Sequence, residues 1–153
     1  MNWKSYASIL VVLDQASKLA ITQVLAYGEQ VPFTAFFNLV HVTNPGAAFS
    51  FLANAGGWQR YGLSALALGV SVWLMCELQR KPPPIEATAY CLILGGALGN
   101  VVDRLVRGEV VDFLDFHWMG MHWPAFNLAD GMIFVGALCV IRAALNRKLL
   151  QVD

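Results

Sequence analysis

Two aspartates are the residues of this sequence best suited to catalysis. Asp112 lies in the segment Val-Val-Asp-Phe, and Asp130 ends the segment Phe-Asn-Leu-Ala-Asp eighteen positions later. The surrounding hydropathy puts both at the same edge of a predicted bilayer. An aspartate at the centre of a bilayer costs roughly 2.5–3.5 kcal/mol on insertion scales, so ionisable residues inside or at the rim of the hydrocarbon layer indicate a function. Neither has a basic residue at helical spacing. Two carboxyl groups at one depth therefore indicate one shared acid–base reaction.

The composition indicates an integral membrane protein. Of 153 residues, 58% are hydrophobic and 13% are charged, and the mean hydropathy is +0.56, which is more apolar than a soluble domain of this size. Four apolar stretches approach the ~20 residues that a membrane-crossing helix needs. They cover residues 5–27, 59–79, 85–107 and 124–146. We therefore expect an all-α membrane protein with four transmembrane helices, in which residues 1–153 form a single domain.

Asp14 and Lys18 interrupt the first apolar stretch, so we expect a retained span there and not a cleaved signal peptide. Basic residues fall mainly before the first span, between the second and third, and after the fourth, which predicts cytoplasmic termini. These residues are Lys4, Arg80, Lys81, Arg142, Arg147 and Lys148. The two aspartates then lie near the extracytoplasmic face.

Several other chemistries are not supported. The formal net charge is zero and no basic stripe occurs, so no nucleic-acid partner is expected. The sequence has no HExxH motif, and His117 and His122 are five apart, a poor spacing for metal ligands, so we predict no metal site. Cys76, Cys91 and Cys139 are odd in number and are expected to pack as small hydrophobic residues. No phosphate-binding glycine loop occurs.

The connecting segments differ in character. Residues 80–84 contain three prolines and predict a short, stiff joint. Residues 28–58 are too long for a simple turn, and Val31 to Thr43 is rich in strand-forming residues, which predicts a small extracytoplasmic sheet. Residues 108–123 carry an amphipathic aromatic set, so we expect them to lie at the membrane interface as a lid.

Polar residues within the spans are spaced to share one interior. Asn100, Asp103 and Arg104 follow at i, i+3 and i+4, which predicts one inward helix face, and Asn127 and Asp130 repeat the i, i+3 spacing. Just before the first set, residues 95–99 form a GxxxG pattern that indicates close helix packing.

Asp14 and Lys18 at i and i+4 predict an ion pair inside the membrane, which we interpret as mainly fixing helix position. Adjacent Asp103 and Arg104 are expected to brace the site in the same way. Ser50 has no GxSxG context, and we interpret it as structural or substrate-binding.

Five segments occur together in order and carry a family resemblance: 14–18 (DQASK), 44–50 (NPGAAFS), 99–104 (GNVVDR), 110–113 (VVDF) and 124–130 (PAFNLAD). With these segments the whole chain resembles the bacterial lipoprotein signal peptidases, the type II signal peptidases. One departure is Gly131, where that family commonly has serine.

The resemblance implies that Asp112 and Asp130 are a catalytic aspartic dyad. The residues that it implies for the substrate site are Asn44, Gly46, Asn100, Arg104, Asn127 and Ala129, and Asp14, Lys18 and Asp103 belong to the supporting polar interior.

The same resemblance implies an activity and a place in the cell. Diacylglyceryl-modified prolipoproteins would be cleaved in the bacterial inner membrane, on the amino side of the lipidated cysteine. The enzyme would work without a cofactor, as a monomer in contact with membrane lipid, and cyclic peptides of the globomycin type would inhibit it. Which aspartate holds the proton at rest is left open, because a coupled pair titrates jointly.

Two other classes of protein also bury charged residues in a membrane. A proton-coupled transporter would use intramembrane Asp14, Lys18, Asp103 and Asp130 to carry ions, but the acidic residues gather towards one side and do not form a path across the membrane. A structural scaffold predicts that neutral isosteres at Asp112 and Asp130 change nothing.

Overall fold

The structure is a computed structural model that describes residues 2–46 and 57–149. Four long helices dominate it: α1 (Trp3–Val24), α2 (Gln59–Gln79), α3 (Pro84–Val106) and α4 (Leu128–Leu149). Each is long and apolar enough to cross a membrane. The four predicted spans are thus confirmed, with their ends shifted by a few residues. Ser50 and its neighbours 47–49 lie outside the described residues.

Helix α3 is the centre of the bundle and packs against the other three helices. In its most apolar window 56% of the residues are buried, against 22% in each of the other spans. Glycines allow this approach: a Cβ at Gly95 would lie 2.6 Å from Leu10 Cβ, and one at Gly96 would lie 2.4 Å from the carbonyl oxygen of Ala129. The packing predicted from the GxxxG pattern is therefore confirmed.

The joint between α2 and α3 is as short as predicted. Lys81 adopts a positive φ of 53°, and Pro84 begins α3, where a missing N–H costs no helical hydrogen bond. Among the cysteines, Cys91 is buried in the core as expected, whereas Cys139 is half-buried and Cys76 is exposed on the surface of α2.

A four-stranded antiparallel sheet covers one end of the bundle. Its strands are β1 (Gln30–Thr34), β2 (Phe37–Asn44), β3 (Val110–Trp118) and β4 (Met121–His122), adjacent in that order. The first two fall within the segment from which a sheet was predicted. The register between β2 and β3 places Val42 opposite Asp112.

The segment predicted to lie at the interface supplies β3 and β4. Its first half is buried in the sheet because Val110, Val111 and Phe113 pack inward, and only its far end is exposed and aromatic. The turn between the strands is made by Met119 and Gly120, both with positive φ, which suits a two-residue hairpin. Movement of this hairpin as a lid remains a prediction.

Candidate active site

Asp112 is a buried carboxyl group on β3. It is 3% exposed, and Asn127 Nδ2 donates a hydrogen bond of 2.6 Å to its Oδ1. Burial raises the pKa of Asp112 to about 7, and the nearby charge of Asp130 adds to this rise, whereas hydrogen bonds from Asn127 and Asn44 partly offset it. Asp112 can therefore hold or release a proton near neutral pH, as acid–base catalysis requires.

Asp130 sits in the first turn of α4 and is held there by a reciprocal cap. The backbone N–H of Asp130 donates to Asn127 Oδ1 at 3.0 Å, and the backbone N–H of Asn127 donates to Asp130 Oδ2 at 3.3 Å. This is the arrangement of a capping box, with Asn and Asp in place of the usual Ser or Thr and Glu. The positive end of the helix dipole also favours a carboxylate at this position.

Asn127 joins the two carboxyl groups. Its side chain donates to Asp112 and accepts from the backbone of Asp130, and the residue is completely buried. The structure thus brings both predicted catalytic residues around one amide. Asp112 reaches it from the sheet and Asp130 from the helix.

Two further elements anchor the same helix end. Asn100 on α3 donates from Nδ2 to Asp130 Oδ1 at 2.8 Å. Asp14 on α1 accepts at Oδ1 from the backbone N–H of Ala129 at 3.0 Å. The first turn of a helix leaves backbone N–H groups without helical partners, and here a carboxylate from another span satisfies one of them.

Asp14 and Lys18 form the predicted ion pair, 2.8 Å apart and fully buried. The adjacent Asp103 and Arg104, which were expected to brace the site, contact different groups. Asp103 Oδ2 lies 2.9 Å from Lys18 Nζ, and its Oδ1 pairs with Arg107. Consecutive helical residues point about 100° apart, so Asp103 faces Lys18 on α1 while Arg104 reaches Gly46 in the loop after β2. The inward polar set on α3 therefore spans two faces.

Arg104 lines the site next to the loop after β2. Its Nη2 donates to the carbonyl oxygen of Gly46 at 3.1 Å, and the N–H of Gly46 is bound by Asn44 Oδ1 at 3.0 Å. Arg104 Nε is buried and has no hydrogen-bond partner within the described part of the chain. The charges nearest to this guanidinium include Asp130 and Asp112. A free donor beside two carboxyl groups is suited to binding a polar substrate group.

Two residues of the site were not singled out from the sequence. Gln15 Nε2 contacts Asp14 Oδ2, Asp103 Oδ1 and the carbonyl oxygen of Gly99, all within 3.1 Å. Arg107 contacts both Asp103 and Gln15. The available signal was the i, i+4 spacing of Asp103 and Arg107, which favours an ion pair more than adjacency does.

Another acidic residue of β3 shows what distinguishes Asp112. Asp115 is also buried, which on its own disfavours the charged form, but hydrogen bonds from Asn38 (2.7 Å) and His122 (2.9 Å) outweigh burial and lower the pKa of Asp115. His122 and His117 are cross-strand partners with stacked rings. Their spacing of five residues therefore hid a direct contact.

Gly131, the departure from the usual family pattern, leaves open space. A Cβ built on it would meet no heavy atom within 4 Å. The packing therefore does not require glycine there.

The fold and the site together define a class: a multi-pass membrane protein with two coupled carboxyl groups at one end of its helix bundle. A family model described as signal peptidase (SPase) II matches residues 6–146. The chain belongs to the signal peptidase II family.

Individual relatives agree with this assignment. The chain is 54% identical over 144 residues to a lipoprotein signal peptidase of Aeromonas hydrophila, covering 92% of this chain and 86% of that one. It is 51% identical to the lipoprotein signal peptidase of Serratia marcescens, covering 94% and 85%. Two solved structures described as bacterial membrane enzymes superpose with TM-scores of 0.86 and 0.80. Both are 28% identical to this chain in sequence. The first superposition covers 95% of this chain and 88% of the solved chain, and the second covers 94% of this chain and 92% of the solved chain.

Proposed function

We propose that this protein removes signal peptides from diacylglyceryl-modified prolipoproteins, cleaving on the amino side of the lipidated cysteine with Asp112 and Asp130 as an aspartic dyad. The observation that carries the proposal is the single buried amide of Asn127, which contacts both residues while burial raises the pKa of Asp112 to about 7. Two carboxyl groups held this closely share one proton across neutral pH.

The chemistry follows from that shared proton. The ionised carboxylate takes a proton from a water molecule as its oxygen attacks the scissile carbonyl carbon, and the protonated carboxyl gives its proton to the carbonyl oxygen. The resulting gem-diol collapses as the C–N bond breaks. One hydroxyl returns its proton to a carboxylate, and the other carboxyl protonates the leaving amine. The enzyme ends with one proton on the pair, as it began.

The remaining site residues suit an extended, lipid-anchored peptide. Arg104 Nε has no hydrogen-bond partner among the residues that the structure describes, and Asn44 and Gly46 present amide and backbone groups next to it. The exposed surfaces of the spans would receive acyl chains, while the scissile bond reaches the end of the bundle, where water has access. We place this end on the extracytoplasmic side of the inner membrane, with both termini cytoplasmic, because most of the basic residues outside the site flank the opposite helix ends.

We also propose that the whole chain acts as one monomeric domain and that cyclic peptides of the globomycin type occupy the peptide site.

The first test of the dyad is cleavage of a purified diacylglyceryl-modified prolipoprotein by wild type, Asp112→Asn and Asp130→Asn, each confirmed as folded in detergent. Both variants should bind substrate and lose cleavage. Near-full activity in either variant would refute the dyad, and an inactive wild type would favour the transporter or scaffold interpretation.

A further inference from the structure

Lys18 is a buried cation that is separated from Asp130 by a single side chain, that of Asn100. Lys18 is 0% exposed, and its Nζ lies 2.8 Å from Asp14 Oδ2 and 2.9 Å from Asp103 Oδ2. The third partner of this Nζ is the amide oxygen of Asn100, at 2.8 Å. Among the described residues, Lys18 makes no hydrogen bond to Asp112 or Asp130. Its charge favours the ionised form of Asp112 weakly through space, and its hydrogen-bonded connection to Asp130 runs through a neighbour.

Asn100 provides that connection. Because its Oδ1 accepts from Lys18, the orientation of the amide is defined, and its Nδ2 donates to Asp130 Oδ1 at 2.8 Å. A hydrogen bond from a cation polarises an amide and makes its N–H group a stronger donor, the more so in a buried environment. Through this polarised amide, the positive charge of Lys18 strengthens the hydrogen bond that Asn100 donates to Asp130 Oδ1.

Asp14, the other partner of Lys18, fixes the position of the same helix end. Its Oδ1 accepts from the N–H of Ala129, next to Asp130, and its Oδ2 accepts from Lys18. Gly99 makes room for this carboxylate, since a Cβ there would lie 2.5 Å from Asp14 Oδ2. One buried ion pair is therefore linked to Asp130 by two separate routes.

We infer that Lys18 is a positioning residue that acts through Asn100 to keep Asp130 ionised, so that Asp112 holds the proton when the reaction begins. This inference rests on the proposed function. Asp130 has a helix N-terminus, a backbone N–H and the polarised amide around it, all of which favour negative charge. Among the described residues, the side-chain donors to Asp112 are the neutral amides of Asn127 and Asn44, and Asp112 is buried in a sheet.

Asp130 is then the base that takes the proton from water, and Asp112 is the acid that protonates the carbonyl oxygen. The charged groups that face Asp130 or lie directly behind its partners are Asp112, Arg104, Lys18, Asp14 and Asp103. Lys18 is the cation among them that hydrogen-bonds Asn100.

The test is the pH profile of kcat/KM for a diacylglyceryl-modified prolipoprotein, measured with the double variant Asp14→Asn/Lys18→Gln. Neutralising both partners avoids leaving either of them as an unpaired buried charge, and Asp103 still has its ion pair with Arg107. The asparagine at position 14 retains a side-chain oxygen that can accept from the N–H of Ala129. We expect the acid limb of the profile, which reports ionisation of the base, to move to higher pH by about one unit. Arg107→Gln is the matched control, since it removes a charge from the same network without contacting Asn100, and its limb should not move.

Two further measurements make the result decisive. Asn100→Ala should shift the acid limb as the double variant does, and combining all three substitutions should add nothing, because residues that act in series are not additive. Protonation of Asp130 can also be followed without substrate, from the carboxylic acid C=O stretch in the infrared difference spectrum between the enzyme and its Asp130→Asn form. The pH at which this band disappears should rise in the double variant by the same amount as the acid limb.

If the double variant keeps the acid limb of the kcat/KM profile at the wild-type pH and only the plateau value of kcat/KM falls, the inference is overturned and Lys18 has a purely structural role. Additive shifts would overturn the route through Asn100. If the wild type does not cleave at all, the proposed function fails, and the infrared titration still decides whether Lys18 controls Asp130.

Discussion

Replacing Asn127 is expected to alter the pH dependence of activity and the stability of the protein for two separable reasons. Its Nδ2 donates to Asp112 at 2.6 Å, and its Oδ1 caps α4 at the N–H of Asp130. A hydrogen bond to a charged group contributes roughly 1.5–3 kcal/mol, and about 1.4 kcal/mol corresponds to one pKa unit. Losing the donor should therefore raise the pKa of Asp112 from about 7 by about one unit or more.

The assay is the pH profile of kcat/KM, which reports ionisations of the free enzyme. In the wild type, one limb should fall near pH 7, and in Asn127→Ala it should move to higher pH. Asn127→Ser should move the same limb equally, because serine is too short to reach Asp112 but still caps a helix. Only the alanine variant should also lose the helix cap, which lowers the free energy of unfolding by about 1 kcal/mol, measured by thermal unfolding in detergent.

Asn38 supplies a matched control. It is 2% exposed and donates at 2.7 Å to Asp115, another carboxyl group of the same strand. Asn38→Ala should lower stability without moving the limb near pH 7. The reasoning is refuted if both Asn127 variants keep the wild-type limb, or if Asn38→Ala moves it as they do.

Two further predictions concern stability. Burial raises the pKa of Asp112 to about 7 from 3.8, so the native state binds this proton more tightly than the unfolded chain, and the stability that Asp112 contributes is lost as pH rises through that interval. Asp112→Asn should therefore be inactive yet gain thermal stability over wild type between pH 4 and pH 8, by at most about 4 kcal/mol; a difference that stays constant with pH would contradict this. Gly99→Ala should lose roughly 1–3 kcal/mol and most activity, because its Cβ would lie 2.5 Å from Asp14 Oδ2. Gly69→Ala, in open space on α2, should instead gain up to about 1 kcal/mol, and equal tolerance of the two substitutions would refute the role of Gly99.

The spans and the Asp14–Lys18 pair were predictable because they depend on local spacing. A run of apolar residues defines a span, and an i, i+4 separation on one helix defines a contact, without knowledge of any other element. The first two strands were predictable for the same reason, since residues 30–44 form a hairpin of neighbouring segments.

What the sequence did not indicate depends on contacts between distant segments. Strand β3 is a strand because β2, about 70 residues earlier, pairs with it, and its aromatic end suggested an interfacial segment when considered alone. The contact between Asp103 and Lys18 was not predicted either, because the two residues lie 85 positions apart on different helices. Adjacency in sequence was a weaker guide than the shared interior of α1 and α3.

The position of Asp130 depends on three elements at once, and this explains why so many charges are buried beneath the site. Asp14 holds the backbone at Ala129, Asn100 holds the carboxyl group, and Asn127 connects it to Asp112 on the sheet. A buried ion network adds little net stability, because desolvation offsets its attraction. Its contribution here is geometric: the carboxyl pair is complete only when α1, α3, α4 and β3 are all packed, so a partly assembled chain would hold no competent dyad.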